Sequence, residues 1–440
     1  MTEPGPGGKA APHRGIDVLH GTVAQYLDPA NPDLLDRWAI VADWVKAQAD
    51  AGLSPHGKAT VTPVGPQIRG LDAAGHNFEG VNFASQDCLG LGSHPRVVAA
   101  AMAAAQSSGV HAGGPAGLMG LSTRSIALEQ RIARFLRCAD ATLFPGGGGA
   151  GQAVLRALLR PGDHLVLDAA APASWHEAGR AAMASLHAVP PDAAAVAGTL
   201  AAIRGRAHDA GILLMIEALT SSGSTSPDLT ALCDLARRWR ATFLVDVSQD
   251  LGALGPTGGG VIEEQGLPGE IDIVTGGFAM VFAGNGGFVA GRHPALKTAL
   301  RLGAGAQGGG CALSPVLTAS VHAAITIVDS IEGQDRRQRL MANVLALRGA
   351  LAAQGFVPGG RPGPMVPLAL GDAATARRMT AAMLARGGIV NLVEGPGGWH
   401  WPLMVMADHS AEDIARMPAL AAMARAALHE ADLGSTAQTP

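Results

Sequence analysis

Charge, cysteine and long apolar runs are all scarce in this 440-residue sequence, and each scarcity excludes a class of protein. Charged residues make up 15% of the chain and the net charge is −4, with no basic patch, so we expect no nucleic-acid partner. The four cysteines are widely scattered, which argues against a disulfide scaffold and predicts no metal site. No apolar run reaches about 18 residues and the amino terminus lacks a signal pattern, so we expect a cytoplasmic protein without a transmembrane segment.

The composition is instead that of a large folded protein. Apolar residues form 48% of the chain, which is long enough for more than one domain. Residues 1 to about 30 are rich in Gly and Pro and predict a loose arm, whereas strand and helix patterns alternate through the rest. We predict four parts: an amino-terminal arm and helix (1–78), a large domain (79–335), a small carboxy-terminal domain (336–430) and a tail (431–440).

Residues 272–291 are the most informative stretch of the sequence. A short apolar strand runs into a turn of small residues, and a second apolar strand begins at Gly287. This layout resembles the lysine loop of the α-oxoamine synthases, pyridoxal-phosphate enzymes that condense an amino acid with an acyl thioester. Thr275 to Met280 occupy the place of the loop, and Met280 stands where that family has its Schiff-base lysine. A thioether cannot form an imine, so the resemblance implies a chain without covalently held cofactor.

Other segments carry the same resemblance in the same order. Residues 79–97 are similar to the opening motif of the family, and the resemblance extends over roughly residues 34–430. It implies an α/β fold: a fold type I aminotransferase-like large domain with a mostly parallel sheet, plus a small α+β carboxy-terminal domain. The helical pattern from Asp33 to Ala51 predicts a packing helix, and in this family such a helix lies on the partner subunit.

The resemblance also implies where a vestigial cofactor pocket lies. Gly147 and Gly148 belong to a strand-to-helix turn that holds the cofactor phosphate in the family, although an empty flexible turn fits the pattern equally well. Asp246 matches the residue that pairs with the pyridine nitrogen, and it could equally be a structural residue at a strand end. Gln249 stands where a histidine reaches the ring oxygen, and Thr275 completes the predicted pocket.

Five functional groups of the family are missing. They are the lysine, the histidine that stacks on the ring, the histidine at the ring oxygen, the arginine that binds the substrate carboxylate, and an asparagine of the phosphate turn. The residues in their places are Met280, Pro172, Gln249, His400 with Pro402, and Gly151. None of the four lysines (Lys9, Lys46, Lys58 and Lys297) is an obvious replacement, and Lys297 is expected on a solvated face.

The leading hypothesis is therefore a catalytically silent subunit. Family active sites lie at the dimer interface, so a chain without the lysine can pair with a lysine-bearing paralogue and support its working site. Pyridoxal phosphate would then bind only non-covalently or on the partner chain. The acyl donor would be an acyl-CoA or an acyl-carrier protein.

Three alternatives remain open. The first is a homodimeric enzyme whose old cavity handles acyl thioesters without the cofactor, and the others are a non-enzymatic ligand-binding scaffold and an engineered inactive mutant. In this position Cys88 is more typical of a small buried side chain than of a nucleophile, and His176 is either a displaced stacking histidine or an ordinary surface residue. The candidate groups for the first alternative are Cys88, His111, His176, Asp246, Gln249 and Asp250.

Overall fold

A computed structural model describes residues 15–395 and 397–436 of the chain. The strands are β1 Ala59–Thr60, β2 Gln67–Leu71, β3 Asn77–Asn82, β4 Asp140–Phe144, β5 His164–Asp168, β6 Ser185–Val189, β7 Ile212–Glu217, β8 Thr242–Asp246, β9 Ile273–Gly277, β10 Gly287–Gly291, β11 Met365–Gly371, β12 Gly388–Ile389, β13 Val393–Gly395 and β14 Gly398–Met404. The α-helices are α1 Val23–Tyr26, α2 Ala39–Asp50, α3 Pro95–Ser108, α4 Thr123–Leu136, α5 Gly147–Leu158, α6 Ala173–Ala181, α7 Ala193–Arg206, α8 Leu229–Arg238, α9 Gly260–Glu264, α10 Ala295–Gly303, α11 Gly305–Gly309, α12 Pro315–Val328, α13 Ile331–Ala353, α14 Ala373–Ala385 and α15 Ala411–Thr436.

Seven strands form one large, mostly parallel sheet. Its order is β4-β10-β9-β8-β7-β5-β6, and only β10 pairs antiparallel with its neighbours. Strand β7 reads Ile-Leu-Leu-Met-Ile-Glu and all six of its residues are buried, as expected for a central parallel strand that helices cover on both faces. Parallel strands bring their carboxyl ends to one edge, which is where open α/β sheets bind ligands.

Helix starts follow from local sequence signals. Asp192 caps α7 by accepting the backbone N–H groups of Ala194 and Ala195, and Asp228 caps α8 in the same way through Ala231. Helix α5 is different, because Gly146 precedes it and supplies no capping side chain. Its first backbone N–H groups therefore face the edge of the sheet without a side-chain partner from the cap.

Two smaller sheets lie outside the large one. β11, β14 and β13 form an antiparallel sheet, and β1, β2, β3 and β12 form the other. Strand β3 spans the predicted boundary between residues 78 and 79, and it pairs with β2 on one side and with β12 on the other. Helix α15 continues to Thr436, within the segment predicted as a tail. The division into domains stays a prediction.

The amino-terminal segment is held in place and is not the loose arm that the composition predicted, although residues 1–14 of that arm lie outside the described residues. The Trp44 indole donates to the carbonyl oxygen of Asp17, and Gln48 donates to that of Val18, both at 3.0 Å. The predicted helix is a 3-10 turn (Asp36–Trp38) followed by α2. It buries Val41, Trp44 and Gln48, while the apolar side chains of Leu34, Leu35 and Trp38 are exposed.

Buried Arg377 joins this segment to α14. Its guanidinium donates to the carbonyl oxygens of Leu19 and Gly21, and it lies between the rings of Trp44 and Trp399, 5.4 and 5.2 Å from their centroids. Arg377→Leu would leave two backbone carbonyl acceptors without their donor and would remove both cation–π contacts. We expect a loss of about 2–4 kcal/mol of stability and faster trypsin cleavage after Arg37.

Urea unfolding and timed trypsin digestion measure these two effects. Arg206→Ala is the matched control, because Arg206 is exposed on α7. Equal cleavage rates in Arg377→Leu and the unmodified chain would show that Arg377 does not hold the segment.

No single helix of residues 15–395 and 397–436 has the length and apolar character needed to cross a membrane. Helices α12 and α13 reach that length and composition only when taken together, and they meet at a bend of 79°.

Candidate functional site

The carboxyl ends of β5, β7 and β8 place three carboxyl groups side by side, two of them buried and that of Asp246 half-buried. They belong to Asp168, Glu217 and Asp246, and the last two are directly paired neighbours in the sheet. Beside them lies a cavity of about 160 Å³, which we call the strand-end cavity. Its lining residues are Gly147, Gly148, Gln152, Pro172, Ser174, Trp175, Glu217, Asp246, Ser248 and Gln249.

Four of the five predicted pocket residues meet in this cavity. Gly147 and Gly148 contribute the first turn of α5, Asp246 ends β8, and Gln249 follows three residues later. Thr275 is buried in β9, and its hydroxyl donates to the carbonyl oxygen of Phe288 in β10 at 3.0 Å. Thr275 therefore stabilises the strand pair at its own position, and a cofactor-binding role for all five residues stays a prediction.

Trp175 donates a hydrogen bond to Asp246, the residue that the resemblance pairs with the ring nitrogen of the cofactor. Its indole Nε1 donates to Oδ2 of Asp246 at 3.1 Å, while Oδ1 accepts the backbone N–H of Ser248 at 2.8 Å. The side chain is 6% exposed, so the indole is part of the wall and not a mobile surface group. Burial raises the pKa of Asp246, and the hydrogen bonds from Ser248 and Trp175 oppose that rise.

Gly151 makes room for the indole. A Cβ atom placed on Gly151 would lie 2.4 Å from Cη2 and 2.5 Å from Cζ2 of Trp175, which is closer than any side chain tolerates. A larger residue in the place of Gly151, such as the asparagine of the family, would therefore collide with this indole. Gly151 was evident from the sequence but Trp175 was not, although a tryptophan three residues after Pro172, which replaces the stacking histidine, was the available signal.

Of the other two carboxyl groups, that of Glu217 lines the cavity and that of Asp168 is buried at the end of β5. Burial, followed by repulsion from Asp246, raises the pKa of Glu217 well above its ordinary value. Asp168 is fully buried, burial raises its pKa, and its Oδ2 atom has no hydrogen-bond partner. No arginine or lysine is among the residues that line the cavity. The edge therefore favours protonated carboxyl groups.

Met280 is 3% exposed and belongs to the main hydrophobic core. Its carbonyl oxygen accepts the backbone N–H of Cys88 at 3.0 Å. The described lysines are engaged elsewhere: Lys46 with Asp50, Lys58 with the carbonyl oxygen of Pro55, and Lys297 with Glu129 and Asp140. Lys297 is therefore in a partly buried ion-pair cluster and not on the solvated face that we expected. None of these three lysines replaces the missing one.

The remaining candidates separate into buried and exposed groups. Cys88 is buried and burial raises the pKa of its thiol, which confirms the small buried side chain and removes it as a nucleophile. His176 is half-buried on α6 and its charge lowers the pKa of Asp168, while its neighbour Trp175 forms part of the cavity wall. Asp250 is buried and accepts the backbone N–H of Val261 at 2.7 Å.

His111 is exposed and contacts Gly113 and Cys311.

His400 occupies β14, where the resemblance placed the substrate-binding arginine. It is 9% exposed, burial lowers its pKa, and its Nε2 atom has no hydrogen-bond partner. A neutral imidazole cannot replace the bidentate, charged contact that a guanidinium makes with a carboxylate.

These residues do not fit pyridoxal phosphate. The carboxylate that would meet the pyridine nitrogen holds Trp175, the lysine position is a buried thioether, and no cation faces the glycine turn from the cavity wall. The cavity, at about 160 Å³, is also smaller than the roughly 300–1,000 Å³ of ordinary ligand pockets.

Comparison with known proteins identifies close relatives of this fold. The model of the aminotransferase class I and II family matches residues 79–417. The chain is 31% identical over 343 residues to 8-amino-7-oxononanoate synthase of Ectopseudomonas mendocina, covering 76% of this chain and 83% of the relative. It is also 31% identical over 349 residues to the synthase of the same name from Geobacter metallireducens, covering 78% and 88%.

A solved structure agrees with these relatives. A serine palmitoyltransferase variant from S. paucimobilis, with a bound PLP–myriocin aldimine, matches with a TM-score of 0.83 at 25% identity, covering 90% of this chain and 99% of that one. Together the matches confirm the predicted fold: a large domain with a mostly parallel sheet and a smaller carboxy-terminal sheet domain.

Proposed function

Since the chain belongs to the aminotransferase class I and II family, in its α-oxoamine synthase branch, we propose that it is a catalytically silent subunit of such a synthase. It pairs in the cytoplasm with a lysine-bearing paralogue, which holds the cofactor and condenses an acyl thioester with an amino acid. The observation that carries this proposal is the Trp175–Asp246 hydrogen bond, taken together with buried Met280. The first removes the ring site, and the second removes the covalent anchor.

An exposed apolar surface at the amino-terminal segment supports a partner chain. Leu34, Leu35 and Trp38 are 65%, 83% and 50% exposed, and they lie next to one another at the start of the helical segment. Grouped apolar side chains of this size are typical of protein–protein interfaces. Leu35 and Trp38 are therefore the proposed contacts with the paralogue.

Native mass spectrometry of the tagged chain, purified gently from its source cell, tests the proposal. We expect a mixed dimer whose second chain is of similar size and carries pyridoxal phosphate, and we expect no cofactor mass on this chain. A homodimer as the only species would contradict the proposal.

A pair of substitutions locates the interface in the same experiment. Leu35→Asp introduces a charge into the proposed contact and should abolish the mixed dimer, because an unpaired charge in an apolar interface is strongly unfavourable. Val357→Asp is the matched control, since Val357 is also 83% exposed but follows α13. Loss of the mixed dimer in both variants, or in neither, would place the contact elsewhere.

A further inference from the structure

The strand-end cavity has acidic side chains in its wall and no cationic side chain to balance them. Glu217 is 3% exposed, and Asp246 lines the cavity beside it. None of the lining residues is Lys, Arg or His. The positive charge nearby is that of His176 on α6, which acts on buried Asp168 and does not line the cavity. The wall therefore favours an occupant that brings positive charge with it.

Glu217 also lacks hydrogen-bond partners. Its Oε2 atom accepts the hydroxyl of Ser221 at 3.4 Å, and its Oε1 atom accepts no hydrogen bond from residues 15–395 or 397–436. Asp168, at the end of the neighbouring strand, is fully buried and its Oδ2 atom has no partner. Buried acceptors are normally satisfied, and an unpaired one costs free energy. A ligand that donates N–H groups to Glu217 would remove that cost.

The glycine turn faces the same cavity with hydrogen-bond donors. Gly147 and Gly148 form the first turn of α5, a helix of 12 residues, and Gly146 supplies no capping side chain. The first N–H groups of a helix have no acceptor within the helix, so they favour an oxygen atom on the ligand. A carboxylate or phosphate at this point would be repelled by Glu217 and Asp246, because no cation lines the cavity. A hydroxyl oxygen accepts the same hydrogen bonds without that repulsion.

The volume of the cavity limits the ligand to a few atoms. About 160 Å³ corresponds to about five water molecules at about 30 Å³ each. The hydrogen bond from Trp175 to Asp246 holds the indole in the wall, so this side of the cavity is fixed. The space therefore suits a ligand of about four or five non-hydrogen atoms.

From these features we infer that the strand-end cavity binds a short amino alcohol in its protonated form. The ammonium group donates hydrogen bonds to Glu217, and the hydroxyl oxygen accepts hydrogen bonds from the backbone N–H groups of the glycine turn. Ethanolamine is a probe of this size and chemistry. The inference concerns a ligand of this chain itself and goes beyond the proposed role as a silent subunit.

A metal ion fits the same wall less well. Among the residues that the structure describes, no cluster of three or more His, Cys, Asp or Glu side chains could hold a metal ion. An ammonium group carries three N–H donors of its own and can pair with a single carboxylate. The wall therefore favours an ammonium group over a bare cation.

Binding should be coupled to the release of a proton. Burial, followed by repulsion from Asp246, raises the pKa of Glu217, and Asp168 adds to the rise while the hydrogen bond from Ser221 opposes it. The free chain therefore holds a proton on Glu217 that the ammonium group must displace, whereas an alkyl amine keeps its own proton well above neutral pH. The affinity should rise with pH by up to about tenfold per pH unit and level off above the pKa of Glu217.

Isothermal titration calorimetry of the full chain with ethanolamine tests the inference. Titrations at pH 6.5 and 8.0, in phosphate and in MOPS, use two buffers that differ in their heat of ionisation. We expect one saturable site that is tighter at pH 8.0, and a difference in heat between the buffers at pH 6.5 that reports the released proton. Absence of saturable binding up to about 10 mM would overturn the inference.

Two substitutions assign the site to Glu217. Glu217→Gln should weaken binding about tenfold or more and should flatten the dependence on pH, because the amide has no charge to pair with the ammonium group. Glu177→Gln is the matched control, since Glu177 is exposed on the neighbouring helix α6, and it should leave binding unchanged. Equal affinity in Glu217→Gln and the unmodified chain would place the ligand elsewhere and overturn the inference.

A ligand series on the unmodified chain needs no variant. Ethylene glycol, which lacks the ammonium group, should not bind, and ethylamine, which lacks the hydroxyl group, should bind more weakly than ethanolamine. Equal affinity for ethylene glycol would overturn the pairing with Glu217, and equal affinity for ethylamine would overturn the contact with the glycine turn. Displacement of ethanolamine by an equal concentration of potassium chloride would assign the cavity to a metal cation instead. These titrations use this chain alone, so their outcome is independent of whether the mixed dimer forms.

Discussion

Met280→Lys alone is expected to leave the chain unable to form a borohydride-reducible, visible-absorbing adduct with pyridoxal phosphate, whereas Met280→Lys with Trp175→Ala is expected to form one. The single substitution restores the amine but leaves the indole N–H on Asp246. Removing the indole frees that carboxylate and opens the space against Gly151. Absorbance before and after borohydride reduction, followed by intact mass, measures the outcome.

The loss of folding stability that each substitution causes must be separated from its effect on the binding of pyridoxal phosphate. Trp175→Ala removes a buried aromatic side chain and is expected to cost about 3–5 kcal/mol, so urea unfolding of each variant comes first. Lysine at position 280 enters the apolar core, where burial disfavours its charged form. Met280→Lys with Trp175→Phe is the matched control, because phenylalanine keeps most of the ring but lacks the N–H.

Three results distinguish the causes. Adduct formation in Met280→Lys alone would show that Trp175 does not block the site. An adduct in both double variants would assign the block to the hydrogen bond, and an adduct only with Trp175→Ala would assign it to the volume of the ring. A folded Trp175→Ala double variant without adduct would show that Trp175 is not the deciding obstacle.

The second large effect is a loss of stability with rising pH that originates at Asp250. This side chain is fully buried, its Oδ2 atom accepts the N–H of Val261, and its Oδ1 atom has no partner. Burial, with a smaller contribution from the carboxylates of Asp246 and Glu264, raises its pKa to about 8, although the hydrogen bond from Val261 opposes the rise. The folded chain therefore keeps a proton that the unfolded chain has already released.

The direction of the effect follows from that difference. Because the folded pKa lies above the unfolded value, the stabilising contribution is complete below about pH 4 and is lost as the pH rises through about 8. One proton corresponds to about 1.4 kcal/mol per pH unit, so we expect a loss of about 2 kcal/mol between pH 6.5 and 8.0. Glu217 acts in the same direction, since its pKa is also raised.

Urea unfolding at pH 6.5, 7.2 and 8.0 measures the slope. The asparagine side chain in Asp250→Asn cannot ionise. This variant should therefore lose the part of the pH slope that Asp250 contributes. Asp192→Asn is the matched control, because Asp192 is an exposed helix cap and asparagine caps equally well. Equal slopes for Asp250→Asn and the unmodified chain would show that Asp250 is already ionised in the folded state.

Burial of a histidine also changes the stability of the folded chain at the acidic end of the pH range. His409 is 5% exposed, and burial lowers its pKa. A histidine of this kind contributes stability above the unfolded pKa, and that contribution is lost as the pH falls through the folded pKa. The buried carboxyl groups and the buried histidine therefore confine the greatest stability to mildly acidic conditions.

The sequence by itself determined the order of strands and helices, and with it the edge where the site lies. Continuous apolar runs such as Ile212–Glu217 predict central strands, and the glycine turn predicts the start of α5, because these patterns act within one element. The loss of the lysine at Met280 was also visible, since a single position decides it. The same local information placed Asp246 at the end of a strand.

Only the tertiary structure decided what replaced the lost groups. The Trp175–Asp246 bond joins residues 71 positions apart, the Cys311–His111 pair joins residues 200 apart, and Arg377 reaches Leu19 across 358 positions. Each contact depends on how two elements pack, and no periodicity within either element encodes that packing. A local pattern fixes what a segment becomes, whereas the partner of a buried polar group is fixed by whichever segment fills the space beside it.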